Sequence, residues 1–397
     1  MVAASVTFGQ HAPAQRTILH LSDTHFLAGN APLVGVYDTA ANLEATLRRV
    51  ERLGTQPDAL VFTGDLTDLG EPDAYRALRA AVEPIAEALE APLIWVAGNH
   101  DERGPMRQHL LDLDPTEEPI TSVTDLGGLR IIALDSSVPG WHHGELDAGQ
   151  LAWLAEILAE PAPLGTLLAL HHPPLPCHLP VFDILELRDQ PALAAVIAGT
   201  DVRGILAGHL HYSTSGTFAG VPVSVAAATC YTMDISRPAV EVNGMDAGQS
   251  FHLTHVYADT VTHSVVPVVE APSGDFFSQQ WVDRMAALSP HDRLEAMVKG
   301  QRCELRVECR GGGEAAGRGG ALSVQGTLSG ETNLYVGERY ALVVPKSAHF
   351  DESSAEFTVS GVQGTSVLLR LERAVADLTV VLKSAHAGTA HHLAALP

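Results

Sequence analysis

Basic side chains are scarce: 24 lysines and arginines stand against 47 aspartates and glutamates in 397 residues, a formal net charge of −23. No basic cluster interrupts that balance, which excludes a sequence-independent grip on nucleic acid or on an anionic membrane surface. No apolar run reaches the ~18 residues of a membrane-spanning helix. The leading MVAASVTFGQHAPAQ lacks the basic and apolar regions of a signal peptide. Four cysteines (Cys177, Cys230, Cys303, Cys309) are too few for a disulfide scaffold in a chain this long, and they read as small buried residues. A cytoplasmic location is the expectation. Only 18% of residues are charged while 46% are hydrophobic, which excludes global disorder and leaves enough apolar surface for a core. Histidine is the residue in excess, at 20 copies. That proportion points toward metal, and it matters for any anionic substrate, because something other than lysine and arginine must neutralise it.

The length suggests two or three domains at ~150 residues each. Residues 1–16 read as a loose tail. Six short apolar runs follow: TILHL (17–21), ALVFT (59–63), LIWVA (93–97), RIIAL (130–134), TLLAL (166–170) and RGILA (203–207). They are apolar nearly throughout, as strands covered on both faces are. Helical spacing lies between them: Leu43, Leu47 and Val50 after the N-cap candidates Asp38 and Thr39; Tyr75 and Leu78 after Pro72; Leu151, Leu154 and Leu158 after Asp147. VPVSVAA, FHLTHVYA and VTHSVVPVV read as late, possibly antiparallel strands. The class is α/β, layered, over residues 17–275. Residues 276–300 read as an amphipathic helical connector packed on that core. After the glycine-rich turn candidate GGGEAAGRGG (311–320) and around it, CELRVEC, ALSVQGTL, AEFTVSGV and DLTVVL alternate, so 301–397 reads as a small β-rich appendage.

The chemistry-bearing residues stand at the carboxyl ends of the apolar runs, where open α/β sheets place ligands. Asp23-Thr-His25 follows the first, Asp65 and Asp68 the second, Asn99-His100-Asp101 the third, His171-His172-Pro-Pro the fifth and His209-Leu-His211 the sixth. Each motif alone has an ordinary reading. D-x-H is common in surface turns, Gly-Asn is turn chemistry, and two prolines stiffen a loop. Only H-x-H after glycine is suggestive by itself, since period two sets both rings on one side of an extended segment. Five in order, each after an apolar strand, make a site. Carboxylate, imidazole and amide donors without thiolate favour manganese, iron, zinc or cobalt. The donors exceed what one ion takes, and they divide into two sets if one aspartate bridges. Two divalent ions ~3.5–4 Å apart activate a hydroxide and clamp phosphoryl oxygens, which answers the shortage of basic residues.

The series D-x-H, GD-x-x-D, GNHD, HHPP and GHLH resembles the calcineurin-like metallophosphoesterase superfamily. HLSDTHF, GDLTDLGEPDAY, AGNHD, GELDAGQLAWL and LAGHLHYST are most similar to its bacterial class III 3′,5′-cyclic-nucleotide phosphodiesterases. The resemblance covers residues 17–270. It departs from the protein-phosphatase branch, where Arg-Gly follows GD-x-x-D and this chain has Leu69-Gly70. It departs from purple acid phosphatases, which carry tyrosine where Asp68 stands. The resemblance implies a layered metallophosphoesterase sandwich and two metals. Asp23, His25, Asp65 and His211 would hold one; Asp65, Asn99, His171 and His209 would hold the other, with Asp65 bridging. Asn99 and His100 would face the substrate phosphate, His100 as the catalytic group that stabilises charge or protonates the leaving oxygen. Asp68 would orient it. His172 reads as a supporting residue rather than a ligand. His142 and His143 read as a solvated loop, with a place in the substrate pocket as the alternative, and His391-His392 as exposed.

The implied activity is hydrolysis of a small anionic phosphodiester, cyclic AMP first, to the 5′-monophosphate by a metal-bridging hydroxide, with iron or manganese the expected pair and zinc or cobalt also possible. Two alternatives stand beside it: a glycerophosphodiesterase or broader phosphodiesterase and phosphatase, and a non-catalytic metal-dependent scaffold, against which His100 argues. The resemblance makes a homodimer reasonable. No nucleic-acid or membrane-embedded partner is expected.

Overall fold

The computed structural model describes residues 8–269, 271, 277 and 279–297, together with the backbone of six later strands between Glu304 and Lys383. The chain divides into two compact units, Met1–Ser273 and Gly274–Pro397.

In the first unit, β1 (Arg16–Leu21), β2 (Ala59–Thr63) and β3 (Leu93–Val96) are parallel neighbours joined by α1 (Thr39–Glu51) and α2 (Pro72–Ala88). Asp38 caps α1 by accepting from the Ala41 amide at 3.0 Å, and Pro72 fits the first turn of α2, where no amide donor is needed. After α3 (Arg103–His109) come the hairpin β4 (Ser122–Leu126) and β5 (Leu129–Ala133), then α4 (Ala148–Leu158), β6 (Thr166–Ala169), α5 (Gln190–Ile197) and β7 (Val202–Ala207). The unit finishes with β8 (Thr214–Phe218), β9 (Val221–Val225), a two-residue pair β10 (Thr232–Met233) and β11 (Gly244–Met245), β12 (Ser250–Val256) and β13 (Val261–Pro267). One sheet runs β13-β12-β1-β2-β3 and the other β4-β5-β6-β7-β9-β8. β12 and β13 are antiparallel additions to the first sheet.

The core has three layers of packing. Ile18, Val61, Ile94, Ile131, Leu167 and Leu206 meet between the two sheets. Leu43, Leu47, Tyr75 and Leu78 cover the outer face of the first sheet from α1 and α2. Leu154, Leu158, Leu193 and Ile197 cover the second from α4 and α5. The central strands are therefore buried on both faces, which is why they read as unbroken apolar runs. Because parallel strands within each sheet share one direction, their carboxyl ends gather at one edge of the sandwich. That edge carries the site.

In the second unit α6 (Gln279–Ala287) and α7 (Pro290–Ala296) are helical. β14 (Glu304–Cys309), β15 (Leu322–Thr327), β16 (Arg339–Val344), β17 (Ser353–Gln363), β18 (Ser366–Leu371) and β19 (Leu378–Lys383) form one antiparallel sheet in the order β15-β14-β19-β18-β17-β16. The glycine-rich stretch 311–320, Cys303 and His391-His392 lie outside the described residues. Among the described residues no helix is long and apolar enough to cross a membrane.

Candidate metal centre

Five strands deliver the side chains. β1 runs into Asp23 and His25, β2 into Asp65 and Asp68, β3 into Asn99 and His100, β6 into His171 and β7 into His209 and His211. Each strand ends in a sharp turn, and five residues at these turns adopt left-handed backbone: Asp23 (φ 52°), His25 (44°), Asp65 (49°), His209 (73°) and His211 (55°). Such conformations are uncommon outside glycine and mark places where the surroundings fix the chain against its preference. Two glycines make the turns possible. A Cβ on Gly98 would strike the backbone nitrogen and carboxylate of Asp65, and one on Gly208 would strike the Ser22 hydroxyl with Asp23 Oδ2 at 2.8 Å.

Asp65 stands at the centre. Its Oδ2 is 3.4 Å from His25 Nε2 and 3.3 Å from His171 Nε2, and its Oδ1 accepts from the His100 amide at 2.9 Å. On one side, His25 Nε2 is 3.2 Å from His211 Nε2, which is 3.4 Å from Asp23 Oδ1. On the other, His171 Nε2 is 3.2 Å from His209 Nδ1 and 3.1 Å from Asn99 Oδ1. All seven expected ligands are thus in one cluster, and Asp65 touches both halves.

Hydrogen-bond accounting tests whether that cluster suits metal. The outer nitrogen of three rings is committed as a donor: His171 Nδ1 to the Thr63 carbonyl at 2.7 Å, His211 Nδ1 to the Tyr231 carbonyl at 3.2 Å and His25 Nδ1 to Asp68 Oδ1 at 3.0 Å. In a neutral ring the inner nitrogen is then a lone pair. These lone pairs face one another, the Asp65 and Asp23 carboxylates and the Asn99 carbonyl, and His209 turns its Nδ1 to the same cluster. Acceptors converging on acceptors in a buried site call for cations, and nitrogen and oxygen donors of this kind suit divalent transition ions.

The electrostatics agree. Burial works against a charge on His25, yet its hydrogen bonds to the Asp65 and Asp68 carboxylates and the fields of Asp65 and Asp23 raise its pKa to about 10. Burial opposes a charge on His171 too, and Asp65 and Asp23 raise it to about 9. Burial lifts Asp23 to about 6, while Asp65, against the same burial penalty, is held well below the usual carboxylate range by His171 and His25. The carboxylates thus demand positive charge here, which protons on His25 and His171 supply and which ions held by the neutral rings would supply in their place. His209 is pushed down to about 3 by burial and by His171, which outweigh the field of Asp65.

His100 lies at the rim. Its Nδ1 donates to the Asp68 backbone carbonyl at 2.9 Å, with the Asp68 carboxylate farther off at 3.4 Å. The carboxylate's nearer partner is His25. Asp68 therefore holds His100 chiefly through its main chain, a detail the D-x-x-D spacing does not reveal. His172 is not aimed at the cluster: its Nε2 donates to the His142 carbonyl at 3.2 Å and its Nδ1 accepts from Ser136 Oγ at 2.9 Å. His143 is buried beside Trp141. His142 is exposed and also lines the cavity over the cluster, with its ring 5.1 Å from that of His100.

Three residues have roles at the site that the sequence reading did not give them. Asp101 is buried and accepts from the amides of Gly98 (2.9 Å), Leu66 (3.0 Å) and Thr67 (3.1 Å) and from the Tyr75 hydroxyl (3.0 Å), tying the β2 and β3 turns together. Tyr231 holds His211 through its carbonyl and stacks on Tyr37 at 4.6 Å. Cys230 Sγ lies 3.8 Å from His211 Nδ1, on the outer side of the ring, and burial raises its thiol well above the ordinary value. Above the cluster is a cavity of ≈ 330 Å³ whose polar floor is Asp65, Asn99, His100, His209 and His211 and whose walls include Leu33, Phe182, Leu185, Tyr231 and Met233.

Residues 16–213 match the model of the calcineurin-like phosphoesterase family. Over 259 residues the chain is 55% identical to a cAMP/cGMP dual specificity phosphodiesterase of Mycobacterium tuberculosis, covering 65% of this chain and 81% of the relative. It is 52% identical to a probable cyclic nucleotide phosphodiesterase of Rhodococcus erythropolis, covering 66% and 87%. It is 36% identical to a 3′,5′-cyclic adenosine monophosphate phosphodiesterase of Pseudomonas aeruginosa, covering 49% and 69%. The motifs, the sandwich that gathers them and these relatives lead to one assignment: the chain belongs to the calcineurin-like phosphoesterase family.

Proposed function

We propose that this chain hydrolyses 3′,5′-cyclic nucleotides, cyclic AMP first, to the 5′-monophosphate. The observation that carries the reading is Asp65, whose one carboxylate oxygen lies between two groups of inward-facing donors. Asp23, His25, Asp65 and His211 would hold one divalent ion and Asp65, Asn99, His171 and His209 the other. The donor set favours iron or manganese, and zinc and cobalt suit the same atoms. Bound there, the pair supplies Lewis acidity and lowers the pKa of water.

The protein's own groups do the rest. Asn99 and His100 face the cavity and orient the phosphate. Water oxygen bonds to phosphorus, the P–O3′ bond breaks, and its electron pair remains on O3′. His100, doubly protonated with Nδ1–H on the Asp68 carbonyl, delivers its Nε2 proton to O3′, and the proton that water loses on bonding to phosphorus returns to Nε2. The apolar walls exclude water from the floor and accept a substituent with a flat, largely apolar face, and ≈ 330 Å³ lies at the small end of ligand pockets. A panel of cyclic AMP, glycerophosphoethanolamine and a nitrophenyl diester, run on one metal-loaded preparation, tests the reading. Cyclic AMP should give the highest kcat/KM; a preference for the glycerol diester would overturn it.

A further inference from the structure

Asparagine is a ligand only through its carbonyl oxygen, and its amide can be turned either way by rotating the terminal bond. Asn99 presents Oδ1 to His171 Nε2 at 3.1 Å, and its Nδ2 lies 2.9 Å from His142 Nδ1. A ring nitrogen that receives an amide N–H must carry a lone pair, so this contact fits only the His142 tautomer with its proton on Nε2. A flipped Asn99 would set Oδ1 against that lone pair, acceptor on acceptor, and aim its N–H at the cluster, where no ion can use it.

The main chain that carries the ring is itself held. His172 donates from Nε2 to the His142 carbonyl at 3.2 Å, and Ser136 fixes His172 by facing its Nδ1 at 2.9 Å and accepting its backbone amide at 3.2 Å. The loop is pinned at both sides, by the bridge of Val138 with Trp141 and that of Gly144 with Leu187. A Cβ on Gly144 would meet the His172 ring at 2.5–2.6 Å, so the loop and the His172 ring are packed without slack. His142 is exposed, so its ring serves no core.

We infer that His142 is a positioning residue: it locks the Asn99 amide with its carbonyl toward His171 and His209, and so sets the affinity of the Asn99-side ion. The inference rests on the ligand set proposed above. Partners of metal ligands typically account for ~10–100-fold in metal affinity. The matching test is Mn²⁺ binding to the chelator-stripped full-length chain, by calorimetry and metal analysis, for wild type, His142→Ala, His142→Asn and Asn99→Ala. His142→Asn places an amide oxygen where Nδ1 was and keeps the acceptor. The expected result is that His142→Ala weakens one of two equivalents by ~10–100-fold and leaves the other unchanged, His142→Asn restores it, and thermal unfolding of the metal-free variants matches wild type. If His142→Ala binds both equivalents as wild type does, or if His142→Asn behaves like His142→Ala, the inference fails. If Asn99→Ala also keeps both equivalents, the proposed ligand set fails and takes the inference with it. Loss in Asn99→Ala alone overturns only the role of His142.

Discussion

Gly98→Ala separates steric demands of the metal centre from ordinary backbone effects. Gly98 is not in the left-handed region, so alanine fits its backbone and by itself would stabilise the chain by ~0.4–1 kcal/mol through the unfolded state. The cost is contact. The new Cβ would lie 2.9 Å from Asp65 Cα and closer still to the Asp65 nitrogen and Oδ1, whereas ordinary contact is 3.4–4 Å. Bringing the nearest of these contacts even to 3.0 Å requires the β2 and β3 turns to part by roughly 1 Å, with overpacking of this kind costing ~1–3 kcal/mol. Asp65 and Asn99 ride on those two turns, and misplacement by ~1 Å costs ~10²-fold in rate. Steady-state hydrolysis at saturating Mn²⁺ should therefore fall about 10²-fold, with a second equivalent that binds more weakly, while net stability drops by no more than ~1–3 kcal/mol. A variant with full turnover and two tight equivalents would refute the claim that Asp65 is held by close packing against Gly98.

Other outcomes follow from the same structure. His100→Ala should keep two metal equivalents and lose ~10²–10⁴ in kcat; loss of an ion, read by metal analysis, would make His100 a ligand. Asp65→Ala should lose both equivalents, since it removes an atom shared by two donor sets. Stability should fall with acid through buried rings away from the site: His252, bonded to Ser224 and Ser213, and His263, bonded to Thr254, are both lowered to about 4, chiefly by burial. Their folded pKa lies below the unfolded ~6.5, so the unfolded chain takes up protons first; the contribution is whole above ~6.5 and is lost as pH falls toward 4. For His252 that is up to ~3 kcal/mol, and denaturation midpoints at pH 7 and 5 should differ less in His252→Gln than in wild type. A chain ending near residue 300 should fold, bind two ions and cleave a nitrophenyl diester at near full rate, with an insoluble or metal-free product arguing that residues 301–397 complete the catalytic core.

Much of the site was legible because its parts are local. Asp23, His25, Asp65, Asn99, His171, His209 and His211 each follow an apolar run within four residues, and β2 has the bounds its sequence suggests. What escaped is non-local or short. Asp101 is the last letter of GNHD, but its carboxylate answers amides at Leu66 and Thr67 on another strand's turn. His142 follows β5 by nine positions and gains meaning only from Asn99, 43 residues earlier. The left-handed turns at aspartate and histidine leave only a weak trace in residue type, since glycine is their usual sign and these residues are merely enriched there. α3 contains Gly104 and Pro105 and shows little periodicity, and β10 and β11 are two residues each, too short for a pattern.

The central claim is that two ions in this donor set hydrolyse a cyclic phosphodiester. It is tested most directly by titrating Mn²⁺ into chelator-stripped protein while following cyclic AMP in ¹⁸O-water. The account predicts no turnover before metal is added, full rate at two equivalents, and 5′-AMP with one ¹⁸O on phosphorus and none at the 3′ hydroxyl. Turnover in the presence of chelator, saturation at one equivalent, or 3′-AMP as the product would contradict it.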